Sequence, residues 1–287
     1  MASDSTDSSA SRNALTLSPY VFRKLRIDKA QTRLAIDSFQ LVCTPYRLSD
    51  SDAVVFAVLS PQEISYFQGY SGSPCTLRIA FASRPGSVSP QLQMEGVLGR
   101  IGAVEGRENV ALFALRFTRV PQALPRLLEN FNRILGHLGE RYRQLAEKQV
   151  PLENLRVQKI MGYRKHAELR VRSRSYLVVP QTIGVDAAEL RLKTSHHDFA
   201  EGDTGTLRLD FTGGVATVPL QVRSVAAPDS QDTVLTGVSL NFDPLYVEIL
   251  DRFFAMIEKA SAARKGQEEG HEREDADGEA SELTEEA

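Results

Sequence analysis

"TLRLDF" (Thr206–Phe211) stands inside the stretch "TGTLRLDFTGG" (Thr204–Gly214), and "TLRIAF" (Thr76–Phe81) stands 130 residues before it. Four of the six positions are identical, and both hexapeptides read as β-strands. Around TLRIAF lie further strand-length apolar runs: "FQLVCTPYRL", "AVVFAVL", "LQMEGVLGRIGAV" and "NVALFALRF". Clusters of Ser, Asp, Gly and Pro separate them. The period then changes. In "PQALPRLLENFNRILGHLGERYRQLAEK" the apolar residues Leu124, Leu127, Leu128, Phe131, Ile134, Leu135 and Leu138 fall at helical spacing. Pro121 and Pro125 suit the approach to a first turn.

The stretch around TLRLDF follows the same plan. "RVRSRSYLVV", "TIGVDAAELRL", "GTLRLDF", "VATVPLQVRSV" and "TVLTGVSLNF" read as strands. The helix "PLYVEILDRFFAMIEKASAARK" follows, with an apolar stripe of Tyr246, Ile249, Leu250, Phe253, Phe254 and Ile257. Laid over each other, "LSPQEISYF" (Leu59–Phe67) meets "VDAAELRL" (Val185–Leu192), TLRIAF meets TLRLDF, and "LRF" at Leu115 meets "LNF" at Leu240. Such a repeat is the signature of duplicated architecture. The expected fold is mainly β with helices (α+β): two tandem small antiparallel barrels, each followed by an amphipathic helix. Closure into a barrel removes exposed strand edges; a sandwich is the alternative. The expected divisions are a disordered N-terminus over 1–15, a first domain over 16–148, a basic linker over 149–175, a second domain over 154–264 and an acidic disordered tail over 265–287.

Composition bounds the function classes. The chain has 287 residues, 42% hydrophobic and 25% charged, without Trp, as in ordinary globular proteins. Cys43 and Cys75 have no metal-ligand spacing and read as reduced structural thiols. "MASDSTDSSASRNA" carries no targeting pattern. No apolar run approaches the roughly 20 residues needed to span a bilayer, so a cytoplasmic setting is expected. The net charge of −3 is uneven: Gln267–Ala287 holds ten acids and only Arg273 as a base, leaving 33 bases against 27 acids elsewhere. Such a tail cannot bury enough apolar surface to order itself. It solubilises, or it competes with an anionic ligand for a basic site.

The second half resembles the PilZ domain family. The residues that carry the likeness are an Arg-rich lead-in, the late strands "LQVRSVAAPDSQDTVLTGVSLNFDPL" with Gly237, Val238 and Phe242 in the expected places, and the closing helix. The resemblance covers about Arg156 to Ile257, and through the repeat extends more weakly over about Phe22 to Leu138. It implies a small barrel that binds cyclic di-GMP through an R-x-x-x-R lead-in and a D-x-S-x-x-G motif. The second motif stands here as "GVDAAE" (Gly184–Glu189), and in the first copy as "VLSPQE" (Val58–Glu63). Asp186 and Ser60 occupy the Ser position. The leading Asp and final Gly are missing, and both copies end in Glu. Counting back from Gly184 lands near Arg164, but Ile160 stands where its partner Arg should be; "RVRSR" (Arg170–Arg174) fits literally.

From Arg156 to Arg174 the chain carries seven bases (Arg156, Lys159, Arg164, Lys165, Arg170, Arg172 and Arg174) against Glu168 alone. Guanidinium groups suit phosphate oxygens, the O6/N7 edge of guanine and the base face. A carboxylate can accept from guanine N–H groups. The candidate cyclic di-GMP ligands are therefore Arg156, Lys159, Arg164, Lys165, Arg170 and Asp186. Arg170, Arg172 and Arg174 also suit a solvated strand face. His196 and His197 are adjacent and so point apart, which disfavours joint metal ligation. "EGDTGT" is a turn and not a phosphate loop. No catalytic motif appears, and neither an enzyme nor a cofactor is expected. The leading expectation is a non-enzymatic, bacterial, PilZ-type cyclic di-GMP receptor that passes binding to a protein partner, possible roles being motility or surface behaviour. The alternative is a degenerate interaction module without the ligand. A nucleic-acid partner is disfavoured.

Overall fold

The computed structural model describes residues 14–83, 89–152, 154–163, 166–193, 196–212 and 214–259, without the side chain of Arg156. The chain divides into two compact units between Gly136 and His137. Almost all of the segments expected to be disordered, 1–15 and 265–287, lies outside the described residues. Leu15 is the exception that matters, buried in a short first strand.

The first unit runs β1 (Leu15–Thr16), α1 (Pro19–Leu25), β2 (Arg33–Ile36), β3 (Phe39–Val42), β4 (Thr44–Leu48), β5 (Asp52–Val58), α2 (Pro61–Gln68), β6 (Pro74–Ala80), β7 (Gln91–Val104) and β8 (Arg107–Arg119). The sheet order is β1-β4-β5-β8-β7-β6-β2-β3. β3 and β4 are joined by Cys43 alone, yet six strand spacings separate them in that order. A flat sheet would hold them about 29 Å apart at roughly 4.8 Å per spacing. One residue bridges less than about 4 Å. The sheet has therefore curled until its ends meet, with Cys43 at the seam. Burial pushes the Cys43 thiol up to about 12, against a small opposing effect of Arg33, so it stays a neutral packing group.

The second unit receives the end of α3 (Ala123–Leu145), then β9 (Gln149–Pro151), α4 (Leu155–Met161), β10 (Ala167–Val171), β11 (Arg174–Gly184), β12 (Ala187–Leu192), β13 (Thr204–Phe211), β14 (Gly214–Val225), β15 (Val234–Leu240) and α5 (residues 244–259). The segment read as a basic linker, 149–175, thus holds β9, α4 and β10. The sheet order β10-β13-β14-β15-β12-β11-β9 is closed by a β10–β11 pairing into a ring of six antiparallel strands. β11 makes that closure by changing partner: Arg174–Val178 pair with β10, and Val178–Ile183 pair with β12.

The two barrels are the same object. β3 and β4 together take the part of β11, first pairing with β2 and then with β5. Leu34↔Leu77 and Leu169↔Leu207 are matching cross-strand pairs, all four side chains fully buried. In the hairpins, Thr44↔Phe56 and Pro45↔Val55 match Val179↔Arg191 and Pro180↔Leu190. Each hairpin is bulged at the residue after its proline, Tyr46 or Gln181, and each closes over four residues, Leu48↔Ala53 and Ile183↔Ala188.

This register corrects the sequence comparison. LSPQEISYF does not lie over VDAAELRL. It forms α2, where the Ser60 hydroxyl accepts from Glu63 N–H and the Glu63 carboxylate accepts from Ser60 N–H at 2.7 Å. Glu63 serves a capping box, while Glu189 sits exposed on β12. The turn equivalent to Gly184–Ala187 is Ser49–Asp52, where the Ser49 hydroxyl accepts from the backbone N–H groups of Ser51 and Asp52. Two runs read as single strands are hairpins. "RVRSRS" turns at Arg172–Ser173, both at positive φ (49° and 67°), and "TIGVDAAELRL" turns at Val185–Asp186.

Helix α5 is preceded by Asp243, whose carboxylate accepts from Tyr246 N–H at 2.8 Å. It buries Tyr246, Leu250, Phe253 and Phe254 in the core of the second barrel. The stripe of α3 is buried at its ends, by Leu124 and Leu128 in the first unit and Leu138 and Leu145 in the second, and Ile134 between them is exposed. Leu207→Ala should cost about 2–5 kcal/mol in denaturant unfolding, the usual range for a fully buried leucine. Leu177→Ala, on the outer face of the same barrel and 59% exposed, should change stability by less than about 0.5 kcal/mol.

Candidate ligand site on the second barrel

The lead-in to the second barrel is tied down at both ends. β9 pairs with Thr182–Gly184 of β11. After α4 the chain turns at Gly162 (φ +55°), whose carbonyl accepts from both the backbone N–H and the hydroxyl of Thr212 at 3.0 Å. An added Cβ at Gly162 would meet Thr212 Oγ1 at 1.8 Å, so only glycine allows this approach. Tyr163 then bridges to Phe211.

These anchors lay α4 beside the bulged hairpin and leave a cleft of about 310 Å³. Its apolar side is Leu152, Leu155, Val179 and Pro180, and its polar groups are Gln158, Gln181, Tyr163 and Arg191. Gln158 is occupied, donating to the Leu152 carbonyl. The Gln181 amide donates to Val179 O at 3.2 Å, and among the described residues its side chain makes no other hydrogen bond. Arg191 is exposed and sits cross-strand from Val179; its charge lowers the Asp229 carboxyl, after the larger effect of the Thr233 and Gln231 hydrogen bonds. Tyr163 is only 9% exposed, and its hydroxyl has no hydrogen-bond partner among the described residues. Burial, then Asp210, pushes its pKa up, so the hydroxyl remains a proton donor. A buried donor without an acceptor is costly.

The sequence candidates fall at several places. Arg164 and Lys165 lie outside the described residues, and of Arg156 only the backbone, in α4, is described. Lys159 is exposed on α4, and Asn154 caps that helix through Val157 N–H. Arg170 is exposed on β10 opposite Ser175, four residues up β11 from Val179, or about 13 Å at 3.3 Å per residue. Asp186 is at the tip of the β11–β12 hairpin, accepting from Glu147 N–H at 3.4 Å, while its carbonyl accepts from Leu240 N–H at 2.7 Å. Neither Arg170 nor Asp186 lines the cleft.

The departure of GVDAAE from the PilZ pattern it resembles falls at a sterically closed position. Gly184 stands where the family has Asp, and an added Cβ would meet Lys148 O at 2.6 Å. The Gly184 carbonyl also accepts from the buried Tyr246 hydroxyl at 2.9 Å. The chain's own lead-in fills that space.

The remaining arginines are engaged elsewhere. Arg172 pairs with Asp203 at 2.9 Å and donates to Asp198 O, and Arg174 pairs with Asp198 at 3.1 Å. Tyr176 donates to the Asp198 carboxylate and packs edge-on against Phe199. The literal R-x-x-x-R match at Arg170–Arg174 is therefore a rim brace at its second arginine. His197 Nδ1 lies 3.0 Å from Phe199 O. Among the described residues, no three His, Cys, Asp or Glu side chains gather as a metal site. No helix of the described residues is long and apolar enough to cross a membrane.

Sequence reasoning missed Tyr163, Gln181 and Arg191. The signal available for two of them was the aligned pair of prolines: Pro45 and Pro180 place Tyr46 over Gln181 and Phe56 over Arg191.

No family model matches the chain, and no curated protein matches it in sequence. Among solved structures, it is similar to the PlzA protein of Borreliella burgdorferi in complex with c-di-GMP, with 10% identity and a TM-score of 0.38 over 84% of this chain and 93% of that one. It is also similar to K. pneumonia MrkH in its c-di-GMP complex (12% identity, TM-score 0.31, 86% and 97% covered). Escherichia coli YcgR in complex with c-di-GMP is a third (12%, 0.31, 88% and 96%).

Two outcomes follow from the local chemistry. Tyr163→Phe removes the unpartnered hydroxyl, so the unliganded protein should be no less stable, and up to about 1–3 kcal/mol more stable, by thermal unfolding. The Asp198 carboxyl is lowered, chiefly by the Tyr176 hydrogen bond and also by Arg174. Its stabilising effect is therefore present above the unfolded value near 3.8 and lost as pH falls through the lower folded value. Asp198→Asn should reduce stability at neutral pH and flatten the acid limb of a stability–pH curve below about pH 4.

Proposed function

We propose that the chain is a non-enzymatic receptor of PilZ type for cyclic di-GMP, with the cleft between α4 and the β11–β12 hairpin taking one end of the ligand. The observation that carries this reading is a cleft lined by both Tyr163 and Arg191, with the buried Tyr163 hydroxyl lacking an acceptor among the described residues. A volume of about 310 Å³ is at the low end of ligand clefts, usually about 300–1,000 Å³, so it suits one base and not a whole cyclic dinucleotide. Arg191 offers a fork for phosphate oxygens or for guanine O6 and N7. Gln181 offers a donor and an acceptor to a base edge. Leu155 and Val179 supply an apolar wall.

The bases of the lead-in, Arg156, Lys159, Arg164 and Lys165, would supply the second phosphate's countercharge in this reading. Arg170 and Asp186 would act only at longer range. Ligand seated there covers Leu155, which is 71% exposed, so occupancy alters the apolar surface offered to a protein partner. The buried free thiols Cys43 and Cys75 suit the reducing cytoplasm in which such a receptor would act.

A specific observation favours the alternative, a protein-interaction module without the ligand: the packing of Lys148 O against Gly184 leaves no room for the family's carboxylate. Titration calorimetry separates the two. The receptor reading expects micromolar binding of cyclic di-GMP that Arg191→Ala weakens at least about tenfold, the scale of a charge-assisted hydrogen bond. Absence of heat in both the full chain and a form lacking residues 265–287 would leave the interaction module.

A further inference from the structure

The two copies of the opening hexapeptide differ where charge is decided. In the second barrel Arg208 of TLRLDF stands directly across from Glu168 of β10 and 3.5 Å from Asp210 on its own strand. In the first barrel the equivalent Arg78 of TLRIAF stands directly across from Arg33 of β2, and Ala80 takes the position of Asp210. The same three positions carry a net −1 in one copy and +2 in the other. Like charges directly opposite on adjacent strands repel and destabilise the pair.

Among the described residues, no ion pair relieves that repulsion. Arg33 is held by the carbonyls of Ala30 and Thr32, which fix its guanidinium without neutralising it. Arg26 adds a third charge: its carbonyl accepts from Ala82 N–H, four residues along from Arg78. Among the described residues no carboxylate forms an ion pair with Arg26, Arg33 or Arg78. Asp28 is used on the backbone of Ala30 and Gln31, and Glu95 stands opposite Thr76. Other bases near by have local explanations. Arg23 and Lys24 occupy the last turn of α1, where cations are favoured. Lys29 lies 4.4 Å over the Phe22 ring.

We propose that this face of the first barrel binds the phosphodiester backbone of a nucleic acid, without reading its sequence. Paired guanidinium forks are the side chains best matched to phosphate oxygens. None of the three arginines lines a described cavity, so the surface suits an extended polyanion and not a small enclosed anion. Its immediate neighbours Thr76 and Gln93 can add hydrogen bonds to sugar and phosphate. No amphipathic helix or aromatic belt of the kind used at lipid surfaces lies on these strands. The sequence disfavoured nucleic acid and showed no sign of this pair: Arg33 and Arg78 are 45 residues apart and meet only in the folded sheet.

The test is fluorescence anisotropy of the full chain with a labelled 25-base-pair duplex of arbitrary sequence at several salt concentrations. Three phosphate contacts predict a log–log slope near −3. Arg33→Glu rebuilds the Glu–Arg pair that the second barrel already carries, so the fold is retained and circular dichroism should match the wild type. It should weaken duplex binding at least tenfold and shrink the slope by about 1 or more. Arg100→Glu, exposed on β7, should change neither. Three results would overturn the proposal: no binding at 50 mM salt, an Arg33→Glu variant that binds like wild type, or a preference for phosphatidylserine vesicles over the duplex.

Discussion

The rest of the second unit depends on one strand changing partners. β11 leaves β10 at Val178 and takes up β12, and this exchange closes the six-stranded ring. A closed ring has no free edge to protect, but it demands a local change of direction. That change is made at Pro180, which cannot donate to a ladder, and at the bulged Gln181 beside it. Bulges re-aim side chains and recur beside binding sites. The bend that closes the barrel therefore falls at Gln181, which lines the cleft beside α4 together with Arg191 of β12. In the first unit the same demand is met more abruptly: the strand is broken at Cys43 and resumes as β4.

Closure has a second consequence at the far tip of the hairpin. β9 adds to β11 at Thr182–Gly184, and Tyr246 of α5 reaches the Gly184 carbonyl. The chain thereby covers its own hairpin tip, and a residue with a side chain at position 184 has no room. In the proposed reading, the ligand therefore seats on the other side of the bulge. The cleft there is lined by apolar Leu152, Leu155, Val179 and Pro180 and by Gln181, Tyr163 and Arg191. The closed position at Gly184 and the exposure of a different polar set follow from the same packing.

The architecture was legible in the sequence because burial enforces period. Leu77 and Leu207 sit at the centre of equivalent strands, and a substitution there would open a cavity, so the hexapeptides stayed alike. The hairpins were not legible as equivalents because closure constrains only their backbones. Between Thr44–Ala57 and Val179–Leu192 few side chains coincide beyond Pro45 and Pro180, and the comparison instead matched the acidic Glu63 and Glu189. Those two residues perform unrelated tasks, one capping a helix and one standing on a strand. The arginine cluster was legible as charge but not as geometry. Arg172 and Arg174 look like neighbours of Arg170 along a strand, yet a two-residue turn sends them to Asp198 and Asp203. Arg191 was invisible because one arginine in an alternating strand carries no spacing signal.

Duplication left two barrels with one backbone plan and different surfaces. The second presents a polar cleft at Gln181 and Arg191; the first has Tyr46 and Phe56 there, with ring centroids 5.2 Å apart, and carries its uncompensated charge on another face. The central claim, that ligand chemistry in the second barrel has moved to the α4 side of the bulge, is open to direct measurement. Hydrogen–deuterium exchange of the full chain with and without cyclic di-GMP should show slowed exchange at residues 152–163, 179–181 and 191, and no change at the 184–189 turn. Protection centred on 184–189, or on the first barrel at Thr44–Phe56, would contradict it.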